Sequence, residues 1–109
     1  MREIVLALTT VPADFDAASL ARELVEQRLV ACVSILPAVR SVYAWDDELQ
    51  DSAEQQLILK TTRDRLADLW AAVQEQHPYE LAEFLVCPVA EGSPDYLKWV
   101  RESVAQPSA

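Results

Sequence analysis

The chain has 109 residues, 51% of them apolar, which suits one domain with a sizeable core. Eighteen acidic residues against nine basic ones give a formal net charge of −9, without the Lys and Arg clusters that hold a phosphate backbone or an anionic membrane surface. Gly92 is the only glycine, which excludes glycine-rich phosphate cradles, and no GxSxG nucleophile elbow occurs.

The opening "MREIVLALTT" has too short an apolar stretch and too little basic flank for a signal peptide. No apolar run approaches the ~18 residues that a membrane span needs. The expectation is a cytoplasmic protein with no membrane or nucleic-acid partner. "EIVLALTT", bounded by "VPAD", reads as a central strand. In "DFDAASLARELVEQRL", Ala17, Leu20, Ala21, Leu24 and Val25 recur at helical spacing, with Asp14 or Asp16 available as N-cap. "VACVSIL" returns to strand chemistry before Pro37, which cannot donate to a ladder and so marks an edge or a bend. The strand resumes in "VRSVYAW", turns at "DDE", and returns through "LQDSAEQQLILKTT".

Thr62 is placed to cap a second helix, "RDRLADLWAAVQEQH", with Leu66, Leu69, Trp70 and Val73 on one face and His77 next on that face. Pro78 ends it. "EFLVCPV" reads as a fourth strand. "GSPDYLKWVRE" reads as a third helix with Ser93 as N-cap, Pro94 at its first position and Asp95 complementing its positive end. Residues 105–109 are expected to fray.

The order strand, helix, strand, strand, helix, strand predicts an α+β, ferredoxin-like βαββαβ sandwich over residues 1–109, with an antiparallel sheet under one layer of helices and an extra C-terminal helix. Strands two and four then lie on opposite edges, too far apart for Cys32 and Cys87 to bridge. Both cysteines sit among β-branched neighbours, as free core cysteines do.

From Val30 to the turn is about 16 residues, or roughly 50 Å, about twice the reach of the first and fourth strands. The distal half of this long hairpin, carrying Val39, Val42, Tyr43, Trp45 and Leu49, overhangs its own domain. An isolated two-stranded ribbon with exposed aromatics is marginal. Pairing with further copies of the chain is the economical completion, so a homo-oligomer is expected.

The blocks "RLVACVSILPAVRSVYAW", "LILKTT", "HPYELAEF" and "GSPDYLKWV", in this order, resemble the CutA family of divalent-cation tolerance proteins over roughly residues 4–102. The resemblance implies a ferredoxin-like subunit assembled as a homotrimer through its long hairpins, similar in architecture to PII signalling proteins. It also implies a role in tolerance to copper and other divalent cations, with no established enzymatic reaction. Members credited with copper binding place a cysteine at the end of the first strand and a second histidine before the HPY motif. This chain has Thr9 and Gln76 there. The hairpin tip, where the family commonly has glycine after an acidic residue, reads Asp46-Asp47-Glu48.

His77 is the only histidine and reads in two ways, as a helix terminus or as a ligand for Cu²⁺ or another divalent cation. Glu80 and Glu83, or a neighbouring subunit, could complete such a site. Tyr43, Trp45, Lys60, Tyr79, Glu83, Tyr96 and Trp99 form a second constellation, lining a cleft or packing a subunit boundary. Glu83 and Lys60 are candidates to pair with each other. Catalytic arrangements find no support, because neither cysteine lies in an electropositive stretch. Two functions remain: a trimeric, non-enzymatic protein of divalent-metal tolerance, or a PII-like sensor or assembly module binding a small organic ligand between subunits. Nucleotide phosphates would find chiefly Lys60, Arg40 and Arg63.

Overall fold

A computed structural model describes residues 2–106. The elements are β1 (Ile4–Pro12), α1 (Ala17–Glu26), β2 (Cys32–Trp45), β3 (Glu48–Thr62), a 3-10 turn (Arg63–Arg65), α2 (Leu66–Gln76), β4 (Leu85–Pro88) and α3 (Pro94–Val104). The strands form one antiparallel sheet in the order β2-β3-β1-β4, the ferredoxin-like arrangement. β2 and β4 are the two edges, so Cys32 and Cys87 are separated by the width of the sheet and both are free. No described helix is long and apolar enough to cross a membrane.

Strand alternation sorts the core. Ala7 and Val11 of β1 and Leu57 and Leu59 of β3 point to one face, where Leu20 and Leu24 of α1 and Leu69 and Val73 of α2 close over them. Full burial of each such Leu or Val side chain is worth about 1.5–3 kcal/mol. α1 begins where Asp16 accepts a hydrogen bond from the Ser19 amide at 3.1 Å. It ends where Arg28 turns left-handed (φ 58°) and the Leu29 amide reaches back to the Leu24 carbonyl at 3.0 Å.

The extra helix departs from a single helical layer. α3 packs on the opposite face, where Val100 and Val104 join Ile4 and Ala31 at one end of the sheet. Toward the other end of that face the 77–84 segment reaches Glu54 and Gln56, and the stretch between stays only partly covered by the described residues. Register places Leu85, Leu8, Ile58 and Ser34 in one row across the four strands, with Cys87, Leu6, Lys60 and Cys32 in the next. Leu36 and Leu85 are 41% and 57% exposed.

β2 bends at a register shift between Leu36 and Val39, around Pro37, and runs along an edge. β1 pairs with β3 only as far as Pro12 opposite Glu54. Beyond that point Arg40–Trp45 and Glu48–Ala53 continue as a two-stranded ribbon, and the longest dimension of the described molecule is 48 Å. Arg40 braces the ribbon by donating two hydrogen bonds to Asp51, each 2.7 Å. The tip is a two-residue turn with both Asp46 (φ 51°) and Asp47 (φ 61°) left-handed, the type I′ geometry that favours glycine or asparagine.

Three local expectations are corrected. The Thr62 hydroxyl makes no cap; it is buried without a partner, and the chain passes through the 3-10 turn before α2 begins at Leu66. Ser93 occupies the N-cap position of α3 without a side-chain hydrogen bond, leaving Pro94 at the first turn and Asp95 as the favourable charge there. β4 has 4 residues and β1 has 9, against the similar lengths expected, because "HPYELAEF" spends its residues crossing the end of the sheet rather than pairing. Of the expected frayed tail, residues 107–109 lie outside the described residues.

Candidate functional site

α2 ends at His77, whose extended backbone (ψ 129°) follows from the proline after it. The ring turns under the sheet end and fastens the segment 77–84 to β1. Its Nδ1 accepts a hydrogen bond from the Tyr79 amide at 3.1 Å. The proton of a neutral imidazole then sits on Nε2, which donates to the Thr10 carbonyl at 2.8 Å and lies 3.3 Å from the Thr9 hydroxyl oxygen. Both ring nitrogens are therefore engaged inside the subunit. Gln76 turns away and hydrogen-bonds Glu23 of α1.

Thr9 and His77, far apart in sequence, thus meet at the end of α2. The donors do not make a firm copper site: one is a hydroxyl, the other an imidazole already bonded on both sides. Among the described residues no group of three or more His, Cys, Asp or Glu side chains is placed to hold a metal ion.

Tyr79 reaches from the same segment to β3 and donates its hydroxyl proton to Glu54 Oε2 at 2.5 Å. Burial, and then the neighbouring Glu54 carboxylate, push the phenol above its ordinary range. Gln56 donates to the Thr9 carbonyl at 2.9 Å and to Glu83 Oε2 at 3.1 Å, binding the far end of the segment to β3. Between this segment and the ribbon lies a cavity of about 620 Å³. Its walls include Tyr43, Trp45, Glu54, Tyr79, Glu80 and Glu83.

The expected constellation therefore divides. Tyr43, Trp45, Tyr79 and Glu83 share the cavity. Lys60, Tyr96 and Trp99 form a separate cluster beside α3, with Lys60 Nζ 3.4 Å from the Tyr96 hydroxyl and 5.7 Å from its ring centroid. Glu83 pairs with Gln56 and not with Lys60. Glu54, Gln56 and Thr10 also line the cavity but were not singled out from the sequence. The signal was a polar run, Glu54-Gln55-Gln56, interrupting a strand that turns apolar at Leu57. Gln55 faces the other way and satisfies the carbonyls of Pro12, Ala13 and Phe15.

Many known proteins share this fold and a related sequence. A "Divalent-cation tolerance protein CutA" of Thermus thermophilus is 42% identical over 103 residues, covering 94% of this chain and 98% of its own. The crystal structure of CutA1 from Oryza sativa superposes with a TM-score of 0.92 at 32% identity, covering 97% of each chain. The structure titled "PII-like protein CutA from Nostoc sp. PCC 7120 in apo form" gives 0.85 at 34% identity, over 93% of this chain and 97% of that one. The family model described as "CutA1 divalent ion tolerance protein" matches residues 5–103. The chain belongs to the CutA1 divalent ion tolerance protein family.

Proposed function

We propose that this chain works as a non-enzymatic homotrimer in the cytoplasmic response to divalent cations, copper among them. One observation carries the assembly: an apolar sheet face and a two-stranded ribbon that a single chain leaves uncovered. Leu85 and Leu36 at its margins, with Leu8 and Ile58 between them, make a surface that suits a sister sheet. The edge of β2, unpaired along 14 residues, is open to strand addition.

The link to metals rests on the family and on names such as "Divalent-cation tolerance protein CutA" borne by its relatives. A metal contact within this chain falls to His77 and is weak, because a cation must displace the hydrogen bond from Nε2 to Thr10. Calorimetric titration with copper and zinc of the wild type and of His77→Ala tests this contact. A weaker copper isotherm in the variant supports it, and superimposable isotherms remove His77 as a ligand. For the assembly, Leu85→Glu places a charge on the uncovered face without touching the helical core. Dissociation of that variant supports the trimer, and an unchanged mass removes this face from the interface.

A further inference from the structure

We infer that Lys60 and Glu83, which do not meet within one chain, pair across the subunit boundary, the Lys60 ammonium serving as counter-ion for Glu83 of the partner subunit. The inference rests on the proposed homotrimer and adds to it the contact that aligns one copy with the next.

Side chains of β3 alternate between the two faces of the sheet. Leu57 and Leu59 enter the core under α1 and α2, so Gln56, Ile58 and Lys60 line the opposite, open face. Charge is sorted along that face. At the α3 end stands Lys60, opposite Leu6 on β1 and Cys32 on β2. Its Nζ lies 3.4 Å from the Tyr96 hydroxyl and 5.7 Å from the ring centroid, both neutral company. Among the described residues no carboxylate comes within ion-pair distance of it. At the other end stand Glu83 and Glu54, whose donors are the neutral Gln56 amide at 3.1 Å and the Tyr79 hydroxyl. Neither carboxylate has a cation within ion-pair distance among the described residues. The row between the two ends holds Leu85, Leu8, Ile58 and Ser34, with no charge.

Reach keeps the two apart in one chain. Lys60 and Gln56 are four residues apart on an extended strand, about 13 Å, and Glu83 is held at Gln56. While the face meets water, both charges are solvated and need no partner. Burial against a sister sheet removes that water, and a charge buried without a partner is costly. A cyclic trimer joins unlike patches, one surface of a copy against a different surface of the next. A face positive at one end and negative at the other meets that condition, and such complementarity fixes register between partners. Glu83 is the acceptor because it is half-buried and open to approach, whereas Glu54 is closed in at 5% exposure.

Sedimentation velocity of the full chain over a dilution series measures trimer dissociation for the wild type, Lys60→Glu, Glu83→Lys and the double exchange. Each single exchange sets like charges across the boundary and is expected to weaken the trimer about a hundredfold. The double exchange restores an opposite-charge pair and is expected to recover most of that loss. Circular dichroism checks folding; where an exchange does not fold, Lys60→Gln and Glu83→Gln are expected to weaken the trimer about tenfold each. A wild-type trimer matched by all the variants, or a double exchange no tighter than the single ones, overturns the pair and leaves the trimer standing. A wild-type chain that is monomeric across the series overturns the proposed assembly and the pair with it.

Discussion

Replacing His77 with phenylalanine keeps the ring volume and deletes every hydrogen bond of the imidazole. Two bonds are lost outright, Nε2 to the Thr10 carbonyl at 2.8 Å and the Tyr79 amide to Nδ1 at 3.1 Å. Each is worth about 0.5–1.5 kcal/mol net, and a buried partner left unpaired adds about 1–3 kcal/mol. Thr10 is 9% exposed and Thr9 fully buried, so at least one orphaned group lies away from water. The sum is a destabilisation of about 2–6 kcal/mol. Asparagine at position 77 supplies a carbonyl that mimics the Nδ1 acceptor for the Tyr79 amide, and His77→Asn should recover about 1 kcal/mol of that loss. Denaturant unfolding at one fixed protein concentration measures both, since an oligomer's midpoint moves with concentration. A His77→Phe protein within about 0.5 kcal/mol of wild type, the range of an ordinary surface change, would refute the role of the imidazole as the fastener of the 77–84 segment.

Further outcomes follow from single groups. The folded-state pKa of Tyr79 lies above its unfolded value, so its contribution to stability is complete below about pH 10 and fades as pH rises through the folded value. Ultraviolet titration should show a late-ionising tyrosine, and Tyr79→Phe should abolish that late step; a late step that persists assigns it elsewhere. Asp47→Gly at the hairpin tip and Arg28→Gly after α1 each relieve a left-handed residue and should stabilise the fold by about 1 kcal/mol or less, as read by denaturant midpoint. A loss of stability in both would contradict those turn geometries. Thr9→Cys brings a thiol to a position where the present oxygen lies 3.3 Å from His77 Nε2. A sulfur and a nitrogen sharing one tetrahedral metal sit about 3.5 Å apart. Tighter copper or zinc binding, lost again on adding His77→Ala, is the expected calorimetric result; no gain would show that the two positions cannot share an ion.

Much of the fold was legible because its signals are local and periodic. The α1 face at Ala17, Leu20 and Leu24, the α2 face at Leu69 and Val73, and the polar turn at Asp46-Asp47 all follow from spacing and turn chemistry. Hairpin length read directly as overhang. Position relative to the sheet was harder. α3 carries a good apolar stripe, but nothing in a stripe tells which face of a four-stranded sheet it will cover, and it took the opposite one. Capping failed at Thr62, whose hydroxyl is buried, and at Ser93, whose backbone takes an N-cap conformation while its hydroxyl makes no capping bond.

Site residues followed the same division. His77 was visible as a lone imidazole beside proline, yet its partners Thr9 and Thr10 lie on a strand nearly 70 positions earlier. Glu54 escaped notice in a chain with eighteen acidic residues, because only burial distinguishes it from the rest. Lys60 and Tyr79 fall in one polar and aromatic set by sequence, and the sheet's geometry places Lys60 beside α3 instead.

Sedimentation equilibrium of the wild-type chain at micromolar concentration bears most directly on the uncovered sheet face and the overhanging ribbon. A mass of three times 12.2 kDa is the expected result. A stable 12.2 kDa species would mean that the exposed apolar face and ribbon persist without sister chains.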